Sequence, residues 1–211
     1  MNNSNYIKAL RLLSEVSRKD KYIILGSVAT LSYTQEIGYM RQIHDIDVIM
    51  DRDEADVVKR LLLNEGFELK TFIDKRMPFY KSLIKQAESQ YLRFVRNNVA
   101  IEILSTQFIK IGNTLKFDLY PKIWAQIPKD SIVEQQSGGV TFTTLNLNLI
   151  WGIKQFLNNT LGRLMPYKGE QRDKDLAVLK TMVNVKEAKQ MLTKCRLGYL
   201  KLSIRIPTFI I

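Results

Sequence analysis

The 211-residue chain has almost no reactive sulfur or imidazole: one cysteine, Cys195, and one histidine, His44. A lone cysteine closes no intramolecular disulfide and offers no thiolate cluster for zinc, which accords with a reducing compartment, so a cytoplasmic location is expected. No stretch of about 18 uninterrupted apolar residues is present, and no transmembrane helix is expected. The N-terminal residues Met1 to Lys8 are polar and do not read as a secretory signal. The apolar tail from Ile204 to Ile211 is short and is broken by Arg205 and Pro207. It reads as a final strand packed on the body or as a contact with another subunit. Also missing is any compact run of five or more basic residues.

What the chain does have is a surplus of positive charge: 32 Lys and Arg against 21 Asp and Glu, a formal net charge of +11. A field of that sign attracts polyanions such as an NTP, tRNA or DNA, although here it is spread along the whole chain. With 45 % hydrophobic and 25 % charged residues, the composition is that of a globular protein. Its length suits one domain, or a catalytic domain with a helical appendix.

The periodicity of the first half alternates between helix and strand. Ile7, Leu10, Leu13 and Val16 recur at three-residue steps, predicting an amphipathic helix from Ser4 to Lys19. A short apolar run, Tyr22 to Leu25, stops at Gly26 and predicts a buried strand; a helix from Ser27 to Ile37 follows it. His44 to Met50 alternates, with Ile46 and Val48 on one face and Asp45 and Asp47 on the other. Asp51 to Glu65 predicts a second amphipathic helix, with Gly66 as a left-handed C-cap. Phe67 to Ile84 reads as strand and loop. Tyr91 to Arg96 and Val99 to Leu104 read as a hairpin turning at Asn97-Asn98, since Asn tolerates positive φ. After Asp118, Pro121, Pro128 and Gly138-Gly139 interrupt a stretch of little periodicity. Helical patterns return at Thr144 to Asn159, Gln171 to Val183 and Val185 to Leu197. The expected division is therefore a mixed α/β half, residues 1–120, and a mainly helical half, residues 121–211.

Three features of the first half carry chemistry. Gly26-Ser27 places a glycine at a strand end and a small hydroxyl at a helix start, where unpaired N–H groups and the dipole favour a phosphate. Asp45-Ile46-Asp47 projects two carboxylates from one face of a strand, and like charges that close call for a cation between them. Hard oxygen ligands of this kind suit Mg²⁺. Glu102, between Ile101 and Ile103, puts a third acid in an apolar strand, where a charge without a partner costs several kcal/mol.

In that order, Ile23-Ile24-Leu25-Gly26-Ser27, Asp45-Ile46-Asp47-Val48 and Ile101-Glu102-Ile103 resemble the nucleotidyltransferase superfamily, the DNA polymerase β-like fold. Arg41 stands four residues before Asp45, as in one subgroup; Gln42 and Ile43 depart from that subgroup's small hydroxyl residue. The resemblance covers about residues 20 to 105. It implies an α+β fold, with a mixed sheet flanked by helices and a C-terminal helical region. It also implies transfer of an NMP from an NTP to an acceptor hydroxyl with release of pyrophosphate. Gly26 and Ser27 would hold the β- and γ-phosphates, and Asp45 and Asp47 two Mg²⁺ ions. Glu102 would ligate one ion and accept the acceptor's proton. No cysteine or histidine nucleophile is required, and His44 reads as structural. Arg41, Lys154 and the run Arg172-Asp173-Lys174-Asp175 stand where phosphate-facing cations and a cleft-closing helix are expected. The acceptor is left open between a small hydroxylated molecule, a protein side chain and a tRNA 3′ end. A homodimer or a partner protein is equally open. The competing reading is a catalytically silent member that binds nucleotide or a partner, as in a toxin–antitoxin pair; a basic nucleic-acid-binding protein is a further alternative.

Overall fold

The computed structural model describes residues 4–39, 41–43, 45–70, 91–120, 123–161, 169–199 and 202–205. The chain opens with α1 (Ser4–Val16), β1 (Tyr22–Ile24), α2 (Gly26–Thr34), β2 (Asp45–Asp51), α3 (Arg52–Asn64) and β3 (Glu68–Lys70). Next come β4 (Tyr91–Arg96), β5 (Val99–Thr106), β6 (Ile109–Ile111), β7 (Thr114–Tyr120), β8 (Ile123–Pro128), β9 (Ile132–Ser137) and β10 (Val140–Leu145). It closes with α4 (Leu147–Leu161), α5 (Gly169–Met182), α6 (Val185–Lys194), β11 (Arg196–Tyr199) and β12 (Leu202–Arg205). His44, most of Phe67 to Ile84 and the last residues of the tail lie outside the described residues; Ile204 and Arg205 belong to β12.

Among the described residues the strands form a seven-stranded sheet, β3-β4-β5-β2-β1-β10-β9, and a five-stranded sheet, β12-β11-β8-β7-β6. The first is mixed: β2 runs parallel to β5 and β1 parallel to β10, and its other pairs are antiparallel. Side chains alternate across a sheet, so each face collects every second residue. Tyr22, Ile24, Ile46, Val48, Met50, Phe94, Ile101 and Ile103 share a core with Leu10 and Leu13 of α1 and Val58 and Leu62 of α3. Ile23, Ile49 and Leu145 face the other way and join Phe117 and Ile127 of the second sheet and Leu149, Leu179 and Leu192 of α4, α5 and α6. Both faces of the first sheet are therefore covered. Asp45 and Asp47 share the second face with Ile49, at the β2 end where the chain enters the strand.

Local rules explain most boundaries. The buried stripe of α1 is Tyr6, Ala9, Leu10 and Leu13, with Ile7 and Val16 at its half-buried margins. Asp51 caps α3 by accepting from the Asp53 N–H at 3.3 Å, and Gly66 follows that helix at φ +77°. Asn97 and Asn98 both adopt positive φ, 50° and 64°, as a two-residue hairpin turn requires.

The stretch after Asp118 differs from expectation. It is strand almost throughout, and β10 pairs with β1, so β9 and β10 extend the sheet built by the first half. A boundary at residue 120 thus cuts between β7 and β8, which are paired neighbours. Pro128 ends β8 and Gly138-Gly139 turn β9 into β10, so the breaks in the sequence pattern are the ends of short strands. The helix expected from Thr144 begins at Leu147, with the Asn146 side chain accepting from the Leu149 N–H at 3.0 Å, while Thr144 and Leu145 end β10. The last helical pattern stops at Lys194, and Arg196 starts β11. Helices α4 and α6 touch closely: a Cβ on Gly152 would lie 2.6 Å from both Leu192 Cδ atoms.

Candidate active site

Gly26 sits at φ +63°, and a Cβ on it would lie 1.8 Å from Asp47 Oδ2. Only glycine combines that backbone conformation with so close a carboxylate. The Leu25 N–H donates to the Asp47 carbonyl at 2.9 Å, tying the turn after β1 to β2. Leu25 stands at the N-cap of α2 and makes no side-chain cap, so the N-cap residue leaves the N–H groups of the first turn uncapped. The Ser27 hydroxyl is buried and donates to the Asp45 carbonyl oxygen at 3.1 Å, with Asp45 Oδ1 at 3.5 Å. Ser27 thereby fixes the start of β2.

The parallel register of β2 and β5 sets Asp47 opposite Glu102. Asp45, Asp47 and Glu102 each present an oxygen within 4.8 Å of the other two. The two aspartates are half-buried and Glu102 is buried. All three acids therefore meet beside Gly26. Three carboxylates this close repel unless a cation or donors intervene, and an all-oxygen set of this size fits Mg²⁺. Glu102 already has two donors: Arg93 Nη1 reaches Oε1 at 3.1 Å, and the Tyr91 hydroxyl donates to Oε2.

A second cluster borders the acids. Asp175, fully buried on α5, accepts from Lys154 Nζ at 2.9 Å, Tyr39 Oη at 2.9 Å, Gln171 Nε2 at 3.2 Å and Arg41 Nη1. Two cations face one carboxylate, and Arg41 Nε is buried with no hydrogen-bond partner among the described residues. Burial pushes the Lys154 ammonium below its ordinary range, and Arg41 adds to this, while the charges of Asp175 and Asp47 pull it back up. Lys154 therefore feels both the fully buried Asp175 and the half-buried Asp47.

Sequence reasoning placed Gly26, Ser27, Arg41, Asp45, Asp47, Glu102 and Lys154 here, and all seven lie in or beside the two clusters. It missed Tyr91 and Arg93, although the signal was present: a turn at Asn97-Asn98 pairs Arg96 with Val99 and so Arg93 with Glu102. It also missed Tyr39 and Gln171, and it placed Asp175 on the expected cleft-closing helix without foreseeing its partners. Asp173 and Lys174 are indeed exposed there; Asp175 points inward.

No family model matches the sequence, and no curated protein matches it. Solved structures do. The lincosamide antibiotic adenylyltransferase LnuA, lincomycin-bound, superposes with a TM-score of 0.56 at 12 % identity, over 87 % of this chain and 99 % of its own. ANT(2'')-Ia in complex with adenylyl-2''-tobramycin gives 0.57 at 10 % identity, over 90 % and 95 %. The solution structure of that antibiotic-resistance factor gives 0.57 at 9 % identity, over 90 % of each chain. The chain has the nucleotidyltransferase fold, a mixed sheet flanked by helices. Within that fold it is similar over nearly its whole length to two antibiotic nucleotidyltransferases.

Proposed function

We propose that the protein is a Mg²⁺-dependent nucleotidyltransferase that moves an NMP from an NTP to an acceptor hydroxyl, with pyrophosphate leaving. The observation that carries this reading is the meeting of Asp45, Asp47 and Glu102 beside the Gly26 turn. The N–H groups opening α2 and the bare backbone of Gly26 receive the triphosphate, and Arg41 and Lys154 approach it from the helical side, offsetting its charge. Asp45, Asp47 and Glu102 would hold Mg²⁺, which when bound stabilises charge on the entering and leaving oxygens of an in-line displacement. Both Glu102 oxygens already accept a hydrogen bond. That suits the residue better to lend a lone pair to a cation than to take up the acceptor's proton.

The acceptor favoured here is a small hydroxylated molecule, in keeping with the lincomycin and adenylyl-tobramycin bound by the two neighbours. The net charge of +11 supports an RNA end as the other candidate. The test incubates the protein with each α-labelled NTP, Mg²⁺, and a panel of a lincosamide, an aminoglycoside and tRNA, beside the Asp45→Asn/Asp47→Asn double variant. Metal-dependent transfer that the double variant loses is expected. Equal transfer by both proteins would refute the reading, and calorimetric NTP binding without transfer would favour a silent nucleotide-binding protein.

A further inference from the structure

We infer that Arg93, assisted by Tyr91, is a positioning residue that sets the orientation of the Glu102 carboxylate toward the two aspartates. The inference rests on the metal-binding reading above and adds a residue pair outside the three-acid pattern. Its basis is the β4–β5 register. Arg93 lies directly opposite Glu102 across an antiparallel pair, while Asp47 lies opposite Glu102 on the other side across a parallel one. Glu102 is thus flanked on the same sheet face by a cation and an anion.

The Glu102 side chain is 8 % exposed against 31 % for Arg93, so water does little to orient the carboxylate. Its geometry is set from β4. Arg93 Nη1 holds Oε1 at 3.1 Å, and the Tyr91 hydroxyl holds Oε2. Each carboxylate oxygen is thereby held by a donor from β4, while an oxygen of Glu102 still lies within 4.8 Å of oxygens of Asp45 and Asp47. Partners that orient a ligating side chain typically matter about 10–100-fold in metal affinity or activity. The Gly26 turn and the start of α2, proposed above to receive the triphosphate, are built on β1 and β2, whereas Arg93 stands on β4, on the far side of β5.

Two roles for Arg93 predict opposite signs. If it acted only as a nearby positive charge, Arg93→Ala would remove a repulsion and tighten divalent-metal binding. As a positioning residue, its loss releases the Glu102 carboxylate and weakens binding. The experiment is a Mn²⁺ titration of the nucleotide-free full-length protein by electron paramagnetic resonance, run on wild type, Arg93→Ala, Arg93→Lys, Tyr91→Phe and the Asp45→Asn/Asp47→Asn control. Thermal unfolding establishes that each variant folds. Expected is a site lost in the double control, weakened about tenfold in Arg93→Ala, and weakened less in Arg93→Lys and Tyr91→Phe. In transfer assays Arg93→Ala should lower kcat about 10–100-fold and leave KM for the NTP within about threefold. Tighter or unchanged Mn²⁺ binding in Arg93→Ala overturns the inference. Should that variant fail to fold, unchanged binding in both Tyr91→Phe and Arg93→Lys does so. A wild-type protein with no Mn²⁺ site sensitive to the double control overturns this inference and the metal reading together. A normal site indifferent to the Arg93 and Tyr91 variants overturns this inference alone.

Discussion

Replacing Asp175 by asparagine removes the buried carboxylate that pairs with both Arg41 and Lys154. The three side chains are 1 %, 18 % and 16 % exposed, so solvent screens little of the change. Taking away one partner of a buried ion pair costs about 3–5 kcal/mol, and because asparagine keeps an acceptor oxygen we expect the lower end, about 3 kcal/mol. For a chain of this size, that corresponds to a melting temperature lower by about 6–12 °C. The loss should depend on pH. Lys154 already titrates below its ordinary value, so over that interval the unfolded chain binds a proton the folded one releases, and folding gains as pH rises. Without Asp175, which pulls the ammonium up, Lys154 titrates lower still and the interval widens. The gap between variant and wild type should therefore narrow with rising pH. Circular dichroism melts at about pH 7 and 9 measure this, with Lys154→Met/Asp175→Asn as the second variant, expected to recover part of the loss because one buried cation is gone. A shift below about 2 °C at neutral pH, or a gap that grows with pH, would refute the reasoning.

Gly26→Ala should cost about 1–2 kcal/mol for the left-handed backbone alone. Because the new Cβ would overlap Asp47, transfer activity should fall by more than that stability loss explains; normal kcat in the folded variant would contradict the placement of Asp47 against the turn. At alkaline pH, burial raises the Cys195 thiol and the Tyr33 phenol to about 12, from ordinary values of 9.0 and 10.0. Both groups then hold protons in the folded state that the unfolded chain loses, so stability is complete below about pH 9 and declines toward pH 12. Cys195→Ala should gain on wild type by about 1.4 kcal/mol per pH unit above about pH 9, read by urea unfolding across pH 8 to 10.5; parallel stability profiles would count against a buried thiol.

How much was legible in the sequence differs from element to element. The strand bearing Asp45 and Asp47, the α3 helix with its Gly66 stop, and the Asn97-Asn98 hairpin follow from local periodicity and turn chemistry, which act within a few residues. The strands from Ile123 to Leu145 fall in the stretch after Asp118 where Pro and Gly interrupt the pattern and little periodicity is legible. Arg93 was within reach of the sequence, since the turn fixes its register with Glu102. Asp175 was not: on α5 it is one acid in a charged run, and nothing in the spacing of residues 39, 41, 154 and 175 says that they meet.

The sequence by itself determined which residues are acids, which face of β2 they occupy, and that the first strand must turn at a glycine. Tertiary structure alone decided that β5 lies parallel to β2, which brings Glu102 to Asp47, and that α4 and α5 carry Lys154 and Asp175 to Arg41. The physical reason is range. Side-chain alternation and turn preferences are set by a residue's immediate neighbours. The pairing of distant strands and helices is decided by which apolar faces must be buried together, a property of the whole chain.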